Sequence, residues 1–189
     1  MPFFPLFVDL SGRRCVVIGG GPVAVRKIQA LVDFGAKLIV LALEASEEVR
    51  ALSRQDTITL EERSYGGPAD LAGAVLVISA ANDRELNARI ARDAKDAGIP
   101  VNIADDPALC SFFFPALVRR GDLTAGISTS GACPRLAARL RERLDKDWPA
   151  DLGRSLEILR EQRRRLRESE HTASIAGELD RLISQMLKE

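Results

Sequence analysis

The chain has 189 residues, of which 46% are hydrophobic and 29% charged, a composition typical of a folded protein with its own core. Lys and Arg total 27 and Asp and Glu total 27, so the formal net charge is zero, which argues against a protein-wide basic field for nucleic acid or anionic membranes. No apolar run approaches the roughly 20 residues that cross a bilayer, and the first residues lack the positive segment of a signal peptide. We therefore expect a cytoplasmic protein that binds neither membrane nor nucleic acid.

Cysteine and histidine are too few and too scattered for a metal cluster. The cysteines are Cys15, Cys110 and Cys133, no CxxC pair occurs, and His171 is the only histidine. This pattern excludes a Cys/His zinc cluster within one chain and disfavours a disulfide framework. We predict no metal ligands and a surface position for His171.

Short apolar strands alternate with amphipathic helices through the first 113 residues, and the alternation predicts a parallel α/β sheet. The predicted strands are 14–18, 37–42, 57–60, 74–78 and 100–104, and the predicted helices are 22–34, 45–54 and 83–97. One further strand is expected at 123–128. From Pro134 onward the pattern is helical and rich in charge, with helices expected at 152–168 and 173–187.

Residues 19–24, GGGPVA, fit the pattern G-x-G-x-x-G/A between a strand and a helix. Gly19 would make the tight turn, Gly21 would let the backbone approach a pyrophosphate, and the helix amino end would attract that anion. The motif predicts a dinucleotide site rather than a bare turn. Glu44 lies where an acid that binds the ribose is expected, although it could simply face solvent past the strand end. No arginine follows this strand directly, which favours NAD over NADP.

Two further loops hold polar residues with more than one interpretation. Asp105 and Asp106 follow the fifth strand, where ligands bind in open α/β sheets, but Asp also serves in turns and helix caps. The loop 128–134 holds Ser128 and Thr129, whose hydroxyls either bind substrate carboxylates or cap the next helix. Cys133 lacks a nearby histidine, so we do not expect nucleophilic catalysis.

An arginine cluster between residues 160 and 167 is the last candidate. Its members alternate with glutamates along a predicted helix, which is typical of a solvated face with internal ion pairs. The alternative is that the cluster meets an acidic ligand or partner.

The ordered set of motifs resembles the precorrin-2 dehydrogenase family, which forms the dehydrogenase and ferrochelatase module of siroheme synthase. The matching segments cover nearly the whole chain: 5–13 (PLFVDLSGR), 16–27 (VVIGGGPVAVRK), 80–83 (AAND), 101–107 (VNIADDP), 111–116 (SFFFPA) and 127–134 (ISTSGACP).

The resemblance implies a Rossmann-type NAD-binding domain at 1–113, a dimerisation region at 114–147 and a helical domain at 148–189. It implies oxidation of precorrin-2 to sirohydrochlorin in siroheme biosynthesis, followed in some members by insertion of ferrous iron, which stays open for this chain. The implied NAD contacts are Gly19, Gly21, Pro22, Val23, Leu43, Glu44 and Asn82. Asp105 is the implied acid or base, and Asn102, Ser128 and Thr129 are the implied tetrapyrrole contacts. Many members carry Ser at the position of Thr129, and some regulate it by phosphorylation.

Other functions compete with this one. A non-catalytic sensor of NAD or tetrapyrrole could keep the fold, but it could lose Asp105, which this chain keeps. A nucleic-acid-binding regulator is disfavoured by the zero net charge. We expect a homodimer, because Leu136 and Leu140 would leave a small second part poorly covered in a monomer. With 189 residues we expect no methyltransferase domain and no synthesis of precorrin-2 itself.

Overall fold

Five short parallel strands organise the first part of the chain, which confirms the predicted fold class. The structure is a computed structural model that describes residues 3–168 and 175–187. The strands are β1 (Arg14–Ile18), β2 (Lys37–Leu41), β3 (Thr59–Glu61), β4 (Leu76–Ser79) and β5 (Val101–Ile103). The helices between them are α1 (Pro22–Val32), α2 (Glu47–Arg54) and α3 (Arg84–Asp96). Contacts divide the chain into a first unit, Met1–Phe114, and a second unit, Pro115–Glu189.

The order of strands across the sheet is β3-β2-β1-β4-β5, and every pairing is parallel. From β1 the chain adds β2 and β3 on one side of the sheet, and it then adds β4 and β5 on the other side. All five carboxyl ends lie along one edge, and the reversal of direction opens a crevice there between β1 and β4.

The sheet is buried on both faces, which explains why its strands are continuous apolar runs instead of alternating patterns. Val17 and Val40 pack with Ile28 of α1 on one face. Val16 and Val77 pack with α3 on the other face. This two-sided core fixes the positions of the loops at the carboxyl edge.

Several predicted boundaries shift by one or two residues, and two of these shifts have a visible local cause. Helix α2 begins at Glu47 and not at residue 45, because the hydroxyl of Ser46 accepts a hydrogen bond from the Val49 N–H and caps the helix. Strand β3 begins at Thr59, where its pairing with Ile39 of β2 starts.

The second unit contains an antiparallel hairpin and three helices. The hairpin joins β6 (Ala116–Arg120) to β7 (Leu123–Ile127), and the helices are α4 (Pro134–Asp147), α5 (Leu152–Glu168) and α6 (Ile175–Leu187). The sequence analysis does not predict β6. Its two-residue turn begins with Gly121, whose φ of +58° favours glycine. The predicted surface position of His171 lies outside the described residues. No helix in the described part of the chain is long and apolar enough to span a membrane.

Candidate functional site

The glycine turn after β1 is a place of close backbone approach. Gly19 has a φ of +117°, and its N–H donates to the carbonyl of Leu41 at 2.8 Å. A Cβ at Gly19 would lie 2.7 Å from the carbonyl oxygen of Ala80, and a Cβ at Gly20 would lie 2.5 Å from that of Glu44. Both glycines are therefore required by the packing of the loops after β1, β2 and β4. The sequence reading assigned no function to Gly20, although the tripeptide of glycines marked the position.

Gly21 differs from its two neighbours because a Cβ there would meet nothing within 4 Å. It is the N-cap residue of α1, and no side chain caps that helix. Pro22 follows as an exposed first residue, with Val23 half-buried behind it. The open space and the uncapped amides of the first turn fit a diphosphate, whose negative charge a helix amino end stabilises.

Leu43 and Glu44 lie just past the carboxyl end of β2, where the ribose and adenine of a dinucleotide are expected. The side chain of Leu43 is 75% exposed, and Glu44 is also exposed. The next arginines already have partners: Arg50 pairs with Glu62 at 2.7 Å, and Arg54 pairs with Glu47 at 2.5 Å.

Asn82 is exposed on the loop after β4, across the crevice from the glycine turn. Two buried groups that the sequence reading missed support this loop. The hydroxyl of Ser79 donates to Oδ1 of Asn87 at 2.6 Å, and Nδ2 of Asn87 donates to the carbonyl of Ala81 at 2.9 Å. The sequence holds one indication of these contacts. Asn87 lies on the predicted buried face of a helix, and a buried amide needs hydrogen-bond partners.

Asp105 is exposed on the loop that follows β5, and its backbone is left-handed, with a φ of +63°. Asp tolerates this region better than most residues, and such conformations cluster at functional sites. None of the hydrogen bonds and ion pairs among the described residues involves the Asp105 carboxylate. It is therefore free to meet a ligand at the carboxyl edge.

The thiol of Cys110 closes the loop that carries Asp105. It donates to the carbonyls of Ile103 and Asp106, both at 3.3 Å. Burial raises the pKa of Cys110, which keeps the thiol protonated as a donor. Asp106 is the N-cap residue of the helical turn Pro107–Leu109, in line with its predicted place in a turn or cap, but its side chain makes no capping hydrogen bond. Its carbonyl, which accepts hydrogen bonds from Leu109 and Cys110, holds the turn instead.

Asn102 supports the same loop from within the sheet. It is 6% exposed, and its Nδ2 donates to the carbonyl of Phe112 at 3.1 Å. The structure thus shows Asn102 fixing the path of the chain after β5. Its contact with substrate stays a prediction.

The polar loop of the second unit uses its hydroxyls internally. Ser128 accepts a hydrogen bond from the Ser130 N–H at 3.1 Å, and Thr129 accepts one from the Cys133 N–H at 3.2 Å. These contacts hold the loop itself and do not cap the helix that follows, whose N-cap residue Cys133 has no side-chain cap. Binding of carboxylates by this loop stays a prediction.

The arginine cluster on α5 forms local ion pairs, as its solvated-face interpretation predicts. Arg164 and Arg165 both contact Glu161, and Arg160 contacts Asp122 at 2.6 Å. Among residues 3–168 and 175–187, no group of three His, Cys, Asp or Glu side chains could hold a metal ion.

Known families match two consecutive parts of the chain. Residues 6–116 match a family described as "Putative NAD(P)-binding", and residues 120–146 match one described as "Sirohaem biosynthesis protein central". The chain belongs to the precorrin-2 dehydrogenase family, which includes the amino-terminal module of siroheme synthase. The predicted family is thereby confirmed, and the first unit is an NAD(P)-binding domain.

Individual members of this precorrin-2 dehydrogenase family extend the match. Siroheme synthase of Ectopseudomonas mendocina is 44% identical over 89% of this chain and 36% of its own length. Siroheme synthase of Methylococcus capsulatus is 37% identical over 89% of this chain and 35% of its own length. The chain thus spans about a third of these relatives. The solved structure of "SirC, precorrin-2 dehydrogenase" covers 99% of this chain and 93% of its own, with a TM-score of 0.77 and 26% identity.

Proposed function

We propose that this chain oxidises precorrin-2 to sirohydrochlorin with NAD, as a step of siroheme biosynthesis in the cytoplasm. The observation that carries the proposal is the arrangement of the sheet's carboxyl edge. The open helix end at Gly21 and the free carboxylate of Asp105 follow β1 and β5 of one parallel sheet, and β4 lies between them. Cofactor and reacting group can therefore meet at one edge.

The reaction needs little from the protein beyond positioning and one base. Conversion of precorrin-2 to sirohydrochlorin removes a hydride from a carbon and a proton. When bound, the nicotinamide ring supplies the hydride acceptor. Asp105 takes the proton, because its carboxylate is exposed at the edge and holds no internal partner in the described part of the chain. A sensor that only binds tetrapyrrole would have no use for this free carboxylate.

We propose that the cofactor lies along the loops after β1, β2 and β4. The backbone at Gly19, Gly21, Pro22 and Val23 holds the diphosphate, Leu43 and Glu44 contact the adenosine, and Asn82 lies near the nicotinamide side. NAD is favoured over NADP, since a 2′-phosphate would meet Glu44, while Arg50 and Arg54 are engaged with glutamates. Calorimetric titration with both nucleotides tests this preference.

Substrate binding and assembly complete the proposal. Asn102, Ser128 and Thr129 are proposed to contact the tetrapyrrole. A homodimer built through the 114–147 region, with 148–189 as a helical domain, would cover Leu136 and Leu140, which are 49% and 43% exposed.

The experiment is to mix the protein with precorrin-2 and NAD without oxygen and to record the visible spectrum. We expect the spectrum of sirohydrochlorin to develop only with NAD present. Gly21→Asp is the matched control, because a Cβ at Gly21 meets no atom within 4 Å while its carboxylate would repel the diphosphate. Conversion that is independent of NAD, or unchanged in Gly21→Asp, would contradict the proposal.

A further inference from the structure

Lys27 is a half-buried cation that the mechanism above does not use. It lies on α1 between Ala24 and Ile28, both of which are fully buried. Its Nζ lies 4.5 Å from the centroid of the Phe114 ring. A cation at this distance from an aromatic face is held in place electrostatically. The ring has no hydrogen-bond acceptor atom, so the ammonium keeps its three N–H donors available.

The charge of Lys27 has no carboxylate partner among the described residues, since none of their ion pairs includes it. By contrast, the half-buried Arg120 does pair with a carboxylate, that of Asp145, at 3.0 Å. Burial lowers the pKa of Lys27 and the charge of Arg26 lowers it further, whereas the charge of Asp105 raises it; Cys110 also lies nearby. The thiol of Cys110 is protonated and supplies no negative charge. A partly desolvated ammonium that no carboxylate contacts directly is suited to an anionic ligand.

The location of Lys27 indicates which of two anions it would bind, the diphosphate of the cofactor or an anionic group of the substrate. Helix α1 begins at the carboxyl edge, and helical side chains tilt toward the amino end, so the Lys27 side chain extends back toward that edge. The diphosphate site lies at Gly21, about 9 Å earlier along the helix at 1.5 Å per residue. Phe114 and Cys110 are instead on the chain that follows β5, as is Asp105. Lys27 therefore lies on the side of the predicted base.

We propose that Lys27 binds a carboxylate of the tetrapyrrole substrate and holds the ring beside Asp105. The proposal rests on the proposed function, because precorrin-2 is the carboxylate-rich ligand that brings the negative charge. Lys27 supplies a point charge with free donors, Phe114 holds it in place, and Asp105 lies close enough to interact with it electrostatically. Lys27 is thus a substrate-positioning residue and not the base.

The test compares Lys27→Met and Lys27→Arg with Lys37→Met in the full chain. Lys37 is the matched control, since it is an exposed lysine at the opposite, amino end of β2. We expect Lys27→Met to raise the KM for precorrin-2 by about 10- to 100-fold, the range for loss of a charge-assisted hydrogen bond. The kcat at saturation and the Kd for NAD should stay within about threefold of wild type. Lys27→Arg should recover most of the affinity, and Lys37→Met should match wild type.

Direct titration with sirohydrochlorin, followed by its absorbance, gives a readout that does not need turnover. An unchanged Kd for sirohydrochlorin in Lys27→Met would overturn the inference and leave the dehydrogenase activity standing. A rise in the Kd for NAD instead would assign Lys27 to the cofactor and would equally overturn it. If wild type oxidises no precorrin-2, the proposed function fails first. A Lys27→Gln variant with wild-type Tm separates loss of binding from loss of folding.

Discussion

The two units of this chain differ in how many apolar residues each buries. The first unit buries a sheet on both faces, and β1 alone contributes four residues that are at most 3% exposed, Cys15 to Ile18. In the described part of the second unit, only Val118 and Ala137 reach comparable burial among the apolar residues. The second unit also keeps an apolar groove of about 260 Å³ lined by Leu123, Trp148 and Leu152.

The two units therefore differ in whether each can be stable by itself. The first unit has the core of an independent domain, and its exposed apolar side chains are found mainly in the leading segment 3–8 and at Leu43. The second unit leaves large apolar side chains exposed on all three of its helices, at Leu136, Leu140, Ile158 and Ile183. The first unit therefore carries the stability of the cofactor site, and we propose that the second needs a second copy of the chain.

The largest effect is expected from a substitution that breaks the packing of the first unit. Gly20→Ala places a Cβ 2.5 Å from the Glu44 carbonyl and 2.7 Å from the Ala45 Cα, so backbone must shift. We expect a loss of about 3 kcal/mol or more in the free energy of unfolding, at the upper end for overpacking. Gly21→Ala is the control and should unfold like wild type. Denaturant unfolding measures both, and equal midpoints for the two variants would contradict the packing account.

The next effect separates the two acids that follow β5. Asp105→Asn should lower the rate of precorrin-2 oxidation about 100-fold, the scale for loss of a general base, with unchanged affinity for NAD. Asn is preferred to Ala because Asp105 has a φ of +63°, where Ala would cost about 1 kcal/mol. Asp106→Asn is the control, and its rate should stay near wild type. An active Asp105→Asn enzyme in steady-state kinetics would show the base to be elsewhere.

The third prediction addresses the exposed face of the second unit. The double variant Leu136→Glu/Leu140→Glu should be monomeric at micromolar concentration, because buried carboxylates would oppose the proposed interface. Sedimentation velocity measures the mass. Lys146→Glu, an exposed change in the last turn of the same helix, should stay dimeric. A wild-type protein that sediments as a monomer would refute the proposed dimer and the comparison drawn from it.

The smallest effect concerns an ion pair at the surface of the first unit. Arg63 binds Asp70 through two hydrogen bonds, and they hold the pKa of Asp70 below its usual 3.8. A lowered folded pKa contributes stability above the unfolded pKa, and that stability is lost as pH falls through the folded value. Asp70→Asn should cost about 1 kcal/mol at pH 7 and less below pH 4. Thermal unfolding of wild type and Asp70→Asn across this pH range measures how the difference in stability changes with pH. A parallel decline of the two proteins would contradict the prediction.

The sequence predicts the first unit well because its signals are local. The strands at 14–18 and 37–42, the glycine turn and the caps of the helices each depend on neighbouring residues. The hairpin strand β6 was missed, because it follows Pro115 directly and pairs only with β7. A short strand with one partner shows weak alternation, although the pair Gly121-Asp122 is a recognised two-residue hairpin signal that could have indicated it.

The sequence indicates the candidate residues of the site but not the hydrogen bonds that hold its loops in place. Gly19, Gly21 and Asp105 follow from motif spacing and strand ends. The contacts of Asn87 with Ser79 and of Cys110 with Asp106 join residues that no pattern relates, so they emerge only from the folded backbone. That no carboxylate among the described residues contacts Lys27 likewise depends on three-dimensional packing.

The central claim is that the first unit's carboxyl edge transfers a hydride from precorrin-2 to NAD, and stoichiometry tests it most directly. Purified protein is incubated with precorrin-2 and NAD in the absence of oxygen, and NADH and sirohydrochlorin are quantified together. The account predicts one NADH for each sirohydrochlorin formed with wild type, and neither product with Gly21→Asp. Sirohydrochlorin formed without matching NADH, or equal yields from the two proteins, would contradict it.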